Sequence, residues 1–401
     1  MTYTIRSFIA STGERYSLLF DNDADGFPAF YPTAFISRVV RLRSGHGTQK
    51  VYLEALKRLH EWEALEKIDL EIRFQTTEFL RANEIDSLVN HLRAARRGAR
   101  TDNISPSKGN TFVAYVAEYV RWLACSVITD SNTLEIRAAL DTQDVAFKQN
   151  KIRKKGSESA SAQELNKKKL PETNRTQLIE LFNAPISRMY RIADEAARFR
   201  NVLMLRILYE TGMRLGELLS LKLKNFLESA GGPHSCLVIE RNHDDIFDTR
   251  IHQPVAKTDG RTVPISEEAE TQLINYIISY RAETANAKFS SDSFIFINHR
   301  AGRSQGCPLS LSAFNQAIQN LEIVFPKLNP LNPHMLRHDW NYRFSKVADA
   351  KRLKPEKERE LREILMGWST GSKMARLYNR RHIEEEAKDY GLAVAKDTGR
   401  K

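Results

Sequence analysis

The sequence is short of cysteine, of long apolar runs and of acid. Its 401 residues hold three cysteines, Cys125, Cys236 and Cys307, far apart and without paired spacing. Such a pattern supports neither a disulfide framework nor a zinc site. No apolar stretch approaches the roughly 20 residues that a membrane-spanning helix requires. Arg6, Glu14 and Arg15 interrupt any signal-like apolar segment near the start, so the expected setting is reducing and cytoplasmic, with no membrane partner. No internal repeat is visible. Asp21-x-Asp23-x-Asp25-Gly26 begins like a calcium loop, but Pro32 stands where that loop needs a bidentate glutamate, so the stretch reads as an acidic turn. Asp and Glu number 50 against 61 Lys and Arg, a net charge of +11. That excess suits a polyanionic partner, yet alone it does not separate a nucleic-acid binder from an ordinary basic protein.

Four segments follow from composition and periodicity. Residues 1–44 form a β-rich segment, with Tyr3-Thr4-Ile5 and Tyr16 to Phe20 as strand-like pieces. Residues 45–150 read as helical, because Val51, Leu56, Leu59 and Trp62 mark one stripe and Phe112, Tyr115, Val116, Tyr119, Val120 and Leu123 another. Residues 151–169 are basic, polar and nearly free of apolar side chains, as a linker is. Residues 170–401 begin at Leu170-Pro171 and are mostly helical, with a strand at Cys236–Ile239, a hairpin over Ile251–Ile265 turning at Thr258-Asp259-Gly260, and a short strand at Phe294–Ile297. A tail helix runs from Ile383 to about Gly391. It presents Ile383, Ala387 and Tyr390 on one face, too small a stripe to hold a helix alone.

The chemistry concentrates between Asn332 and Tyr378. Pro333 suits a first helical turn, which sets His334 and Arg337 three apart on one face with His338 a turn above His334. A fixed cation, an imidazole near its own pKa and a helix N-terminus all favour a bound anion. Tyrosine attacks only where positive charge stabilises its phenolate or its target, and Tyr378 has Arg376, Arg380 and Arg381 around it. This combination points to phosphodiester chemistry without metal. Arg214 is either a phosphate ligand or half of an ion pair with Glu217 three residues on. Lys257 lies at a hairpin turn, where a lysine is ordinarily just solvated. Trp368 is either a core aromatic or a donor of one indole N–H. Arg93, Arg96, Arg97 and Arg100 are either a solvated helix end or phosphate contacts, and Lys154 and Lys155 lie in the basic linker, which also suits a DNA backbone.

Three stretches together resemble the tyrosine recombinases, or phage integrases. Thr211-Gly212-Met213-Arg214-Leu215-Gly216-Glu217-Leu218 is similar to that family's first arginine box, His334-x-x-Arg337-His338 to its second, and Gly367-Trp368-Ser369 with Tyr378 to its last. Three boxes in order are far more specific than one. The resemblance implies a mainly α protein: a helical core-binding domain before a mostly helical catalytic domain with a small antiparallel sheet, closing as a C-shaped clamp on double-stranded DNA. It implies a site-specific recombinase that works through a 3′-phosphotyrosyl intermediate, in integration or excision of mobile DNA, as a homotetramer on paired sites and with no cofactor. The implied catalytic set is Arg214, Lys257, His334, Arg337, Trp368 and Tyr378. Lys257, preferred to Arg261 four residues on, would be the general acid, its pKa lowered by other cations beside it, and Trp368 stands where histidine is commoner. The alternatives are a type IB topoisomerase-like or telomere-resolving enzyme, or an inactive DNA-binding accessory protein.

Overall fold

The computed structural model describes residues 3–23, 26–95, 101–153, 169–188, 194–229, 232, 234–256, 259–372, 383 and 386–396. Contacts divide the chain into two compact units, 1–155 and 156–401.

The first unit begins with strands β1 (Tyr3–Ile9) and β2 (Arg15–Asp21), paired antiparallel from Tyr3 opposite Asp21 to Ile9 opposite Arg15. Helices α1 (Phe30–Phe35), α2 (His46–Glu66), α3 (Leu70–Gln75), α4 (Ala82–Arg93), α5 (Pro106–Val127) and α6 (Leu134–Gln149) follow. Ser105 and Thr133 cap α5 and α6 by accepting N–H bonds of the first turn. The hairpin shares one core with the helices: Tyr3, Leu19 and Phe35 pack with Leu56, Leu59 and Trp62 of α2 and with Phe112, Val116, Tyr119 and Leu123 of α5. A two-stranded hairpin alone is marginal in water, so this shared core is what holds it. Tyr115, expected inside, is only partly buried and lies flat on Tyr52, with ring centroids 3.5 Å apart.

Where the first unit ends, the chain is pinned. The guanidinium of Arg93 donates to the Asn150 carbonyl. Asn110 of α5 brackets Ile152, its amide donating to the Ile152 carbonyl (2.8 Å) and its side-chain oxygen accepting from the Ile152 N–H (3.0 Å). One side chain thus satisfies both backbone groups of a residue that lies past the end of α6.

The second unit holds α7 (Glu172–Asn183), α8 (Glu195–Thr211), α9 (Leu215–Leu219), α10 (Glu267–Asn275), α11 (Leu311–Val324), α12 (Pro333–Ala350) and α13 (Pro355–Met366). From Val202 to Leu208 every residue of α8 is buried, the mark of a helix enclosed on all sides. Strands β3 (Phe226–Leu227), β4 (Cys236–Ile239) and β5 (Arg261–Pro264) form an antiparallel sheet in that order. The mainly α architecture with a small antiparallel sheet is therefore as expected.

The sheet differs in detail. β5 pairs with β4, Ile239 opposite Arg261 and Cys236 opposite Pro264, while the described residues from 251 to 256 form no strand. Pro254 lacks the N–H a ladder needs. Nearby, the Arg250 guanidinium is spent on Asp248 and on the carbonyls of Leu219 (3.1 Å) and Leu309 (2.6 Å), fixing this stretch to loops rather than to a neighbouring strand. Phe294–Ile297 likewise makes single bridges to Lys222 and Pro308 instead of a ladder. Among the described residues no helix is long and apolar enough to cross a membrane.

If the Asn110 clamp fixes the chain as it leaves the first unit, Asn110→Ala should speed tryptic cleavage after Lys151 and Arg153. Mass spectrometry of a digestion time course would read it, and unchanged rates would show the clamp to be idle.

Candidate active site

The site grows from two helix ends. A helix leaves its last carbonyls without intrahelical partners, and side chains of α12 take two of those of α8 and that of its C-cap. Arg343 donates to the Tyr209 carbonyl, Trp340 Nε1 to that of Glu210 (2.8 Å), and Arg337 to that of Gly212 (2.6 Å). The three donors stand at i, i+3 and i+6, one face of α12. Gly212 caps α8 at φ +62°, in the left-handed region that glycine enters at no steric cost. A Cβ there would meet the Trp340 ring at 2.8–2.9 Å, so the helix end and the indole fit only because that side chain is missing. Asp339, fully buried, ties α12 to α7 through Arg175 and accepts from Arg343 Nε (2.9 Å).

The end of α13 is held in the same manner. Gly367 ends it at φ +64°, and the Trp368 N–H reaches back to the Glu363 carbonyl (2.9 Å), the doubled closure of a glycine-terminated helix. Arg261 of β5 donates to the Leu365 carbonyl (2.7 Å), and Arg337 to that of Met366 (3.4 Å). Trp368 packs on Met366, with Leu365 and Trp340 beside them, and its ring lies 5.7 Å from the Arg337 guanidinium carbon. It is both a core aromatic and a neighbour of the central cation.

Arg214 stands one residue ahead of α9, as its N-cap. Glu217 accepts from the Arg214 backbone N–H (2.9 Å) and from its guanidinium (3.1 Å). Arg261 grips the same carboxylate at 2.7 and 3.3 Å. Glu217 is wholly buried, whereas the Arg214 side chain keeps 31% of its exposure. Burial alone would raise the Glu217 pKa. The Arg261 hydrogen bonds and charge, the Arg214 N–H and the Arg337 charge outweigh it and hold the carboxyl at about 2. Glu217 is thus a permanent anion, unable to act as a proton carrier near neutrality.

His334 is exposed in the first turn of α12, its ring edge-on to His338 at 4.5 Å. Asn332 caps that helix, accepting from Met335 N–H at 3.0 Å, and the helix starts at Pro333 as expected. The chain on both sides of Lys257 runs against the first arginine box. A Cβ on Gly216 would meet the Val255 carbonyl oxygen at 3.0 Å, Ala256 is fully buried, and Arg261 holds Glu217. Lys257, Tyr378, Arg96, Arg97, Arg100, Lys154 and Lys155 lie outside the described residues. Arg93 is engaged with Asn150, and its burial lowers its pKa below the ordinary arginine value.

The structure therefore gathers Arg214, Arg337 and Trp368 around the ends of α8 and α13, and adds Arg261, which the sequence reading set aside in favour of Lys257. Its signal was legible: in β5 Arg261 shares the buried face with Val263, so strand alternation alone turns it inward. Gly212→Ala should destabilise the second unit by on the order of 3 kcal/mol, from backbone strain plus the indole overlap. Thermal melts would show it, and an unchanged midpoint would contradict the close fit.

Residues 180–354 match the sequence model of the phage integrase family. Tyrosine recombinase XerD of Halalkalibacterium halodurans is 29% identical over 174 residues, 43% of this chain and 48% of that protein. Tyrosine recombinase XerC of a Roseiflexus species is 30% identical over 166 residues, 41% and 43% of the two chains. The chain thus spans about half the length of the curated relatives it matches. Among solved structures, XerH site-specific recombinase bound to difH substrate superposes with a TM-score of 0.52 at 16% identity, over 88% of this chain and 84% of that one. That likeness establishes a shared fold.

Proposed function

We propose that this chain, whose residues 180–354 match the sequence model of the phage integrase family, is a tyrosine recombinase that cuts and rejoins double-stranded DNA at specific sites through a 3′-phosphotyrosyl link. The observation that carries the reading is the convergence of Arg214 and Arg337, on separate helix ends, with a buried frame that fixes both. Two guanidiniums held so rigidly suit the non-bridging oxygens of one phosphate, and rigid placement is what makes such charge effective in a transition state.

In this reading the Tyr378 oxygen attacks phosphorus and His334 accepts the phenolic proton. The bond from phosphorus to the 5′ oxygen breaks, and Lys257 supplies the proton that completes the 5′-hydroxyl. Trp368 offers an indole N–H to the phosphate but moves no proton. Attack by a 5′-hydroxyl from another duplex reverses the step, with bond energy kept in the protein–DNA link, so neither metal nor nucleotide is called for. Arg96, Arg97, Arg100, Lys154 and Lys155 would follow the DNA backbone as sequence-independent contacts. In the tail helix, Ile383, Tyr390, Leu392 and Val394 are exposed, which supports packing against a second copy within a tetramer on paired sites. Integration or excision of mobile DNA is the biological task we assign. A topoisomerase-like activity is the second reading, and relaxation of a plasmid lacking any specific site would favour it.

The test is to trap covalent complexes on DNA fragments flanking the gene and sequence the attachment point. Tyr378→Phe loses a single oxygen and should bind DNA as before while forming no adduct. A protein–DNA adduct from that variant on a denaturing gel would reassign the nucleophile. Arg337→Lys keeps the charge but not the planar grip, and should slow single-turnover cleavage by about 10²–10³. Near-normal cleavage would leave Arg337 a purely structural role.

A further inference from the structure

Arg261 is a buried cation beside the site to which the reaction gives no task. It is 9% exposed, and it donates to both oxygens of Glu217 and to the Leu365 carbonyl. Glu217 in turn is bound by the guanidinium of Arg214, the side chain that must attract phosphate. A carboxylate 3.1 Å from that guanidinium is a competitor for it. At short range, opposite unit charges away from bulk water attract strongly, and a lone Glu217 would hold Arg214 and cancel its field.

We infer that Arg261 is a positioning residue that neutralises Glu217, so that Glu217 can orient Arg214 without consuming its charge. The inference rests on the phosphodiester reading above. The geometry divides the labour. The Arg261 bonds at 2.7 and 3.3 Å approach the two carboxylate oxygens from β5, while Arg214 meets Oε1 with its side chain and Oε2 with its backbone N–H. Arg261 is the more buried partner, with 4% of its side chain exposed against 31% for Arg214. The buried pair is therefore Glu217 with Arg261, and the half-exposed guanidinium is the one presented outward. The third Arg261 bond, to Leu365, ties this charge balance to the turn that carries Trp368. Glu217 stays ionised down to about pH 2, so the competition does not vanish at any working pH.

The experiment compares the full chain with Arg261→Met and with Arg261→Met/Glu217→Gln. The first variant removes one positive charge. The double variant removes a charge of each sign and restores the balance. Each is assayed for single-turnover adduct formation on duplex DNA carrying the mapped attachment point, and for duplex affinity as a function of KCl concentration. Arg261→Met should lower adduct formation about 10²-fold, as a misplaced catalytic group does, and should reduce the salt slope by about one, the mark of one lost phosphate contact. The double variant should recover most of both. A double variant that melts like the wild type yet stays as slow as Arg261→Met overturns the inference and leaves Arg261 a structural strut. If Arg261→Met does not fold, Arg261→Lys serves instead: it keeps the charge and should keep the salt slope, whereas a lost slope overturns the inference. Failure of the wild type itself to form an adduct would overturn the phosphodiester reading, which is a different result.

Discussion

The second unit depends on how one helix end is finished. The carbonyls at the end of α8 are met by Arg343, Trp340 and Arg337 from a single face of α12. Backbone acceptors at a buried helix terminus must find partners or cost free energy comparable to a lost hydrogen bond. Here the partners include Arg337, the arginine that the proposed function gives to phosphate. The requirement that makes the fold stable therefore also aims the site, because Arg337 cannot leave Gly212 without orphaning a buried carbonyl. The same solution recurs at α13, where Arg261 and Arg337 take consecutive carbonyls just before Trp368.

A carbonyl orients a guanidinium without neutralising it. Arg281 is held in the same way as Arg337, on the carbonyls of Phe294 and Lys288, whereas other arginines of this unit pair with acids. Arg250 is paired with Asp248, Arg362 with Glu358, and Arg175 with Asp339; each couples elements at little net charge. Arg337 donates to carbonyls at 2.6 and 3.4 Å, and Arg214 and Arg261 share the one carboxylate of Glu217. Three guanidiniums and one carboxylate therefore stand together at the ends of α8 and α13.

Much of this was legible in the sequence, and the reasons differ by element. The start of α12 was fixed by Asn332 and Pro333, a cap and a preset dihedral. Gly212 and Gly367 end their helices at positive φ, which the geometry shows and the sequence reading had not singled out. The boxes around Arg214 and Arg337 carried the resemblance to the phage integrases before any geometry, and residues 180–354 match that family's sequence model. The sheet was misread because a Thr-Asp-Gly turn signal outweighed Pro254 and the Asp248–Arg250 clasp, and a clasp of that sort leaves no local periodicity. Arg261 was passed over because its neighbour Lys257 drew the functional argument, although the alternation of β5 had already turned Arg261 inward.

The glycines show why the first box reads as it does. Gly212 is needed for its positive φ and for the Trp340 ring stacked on it, so it serves the junction of α8 with α12. Gly216 has ordinary backbone geometry and serves a different contact: without a Cβ it lets the Val255 carbonyl approach to where that atom would stand at 3.0 Å. Between them sits Arg214, and immediately after comes Glu217. One eight-residue stretch thus receives α12 on one side, the segment preceding Lys257 on another, and β5 through Glu217. Its sequence specificity is explained by packing as much as by chemistry. A variant that kept the arginine and enlarged either glycine would retain the charge while displacing the elements that aim it.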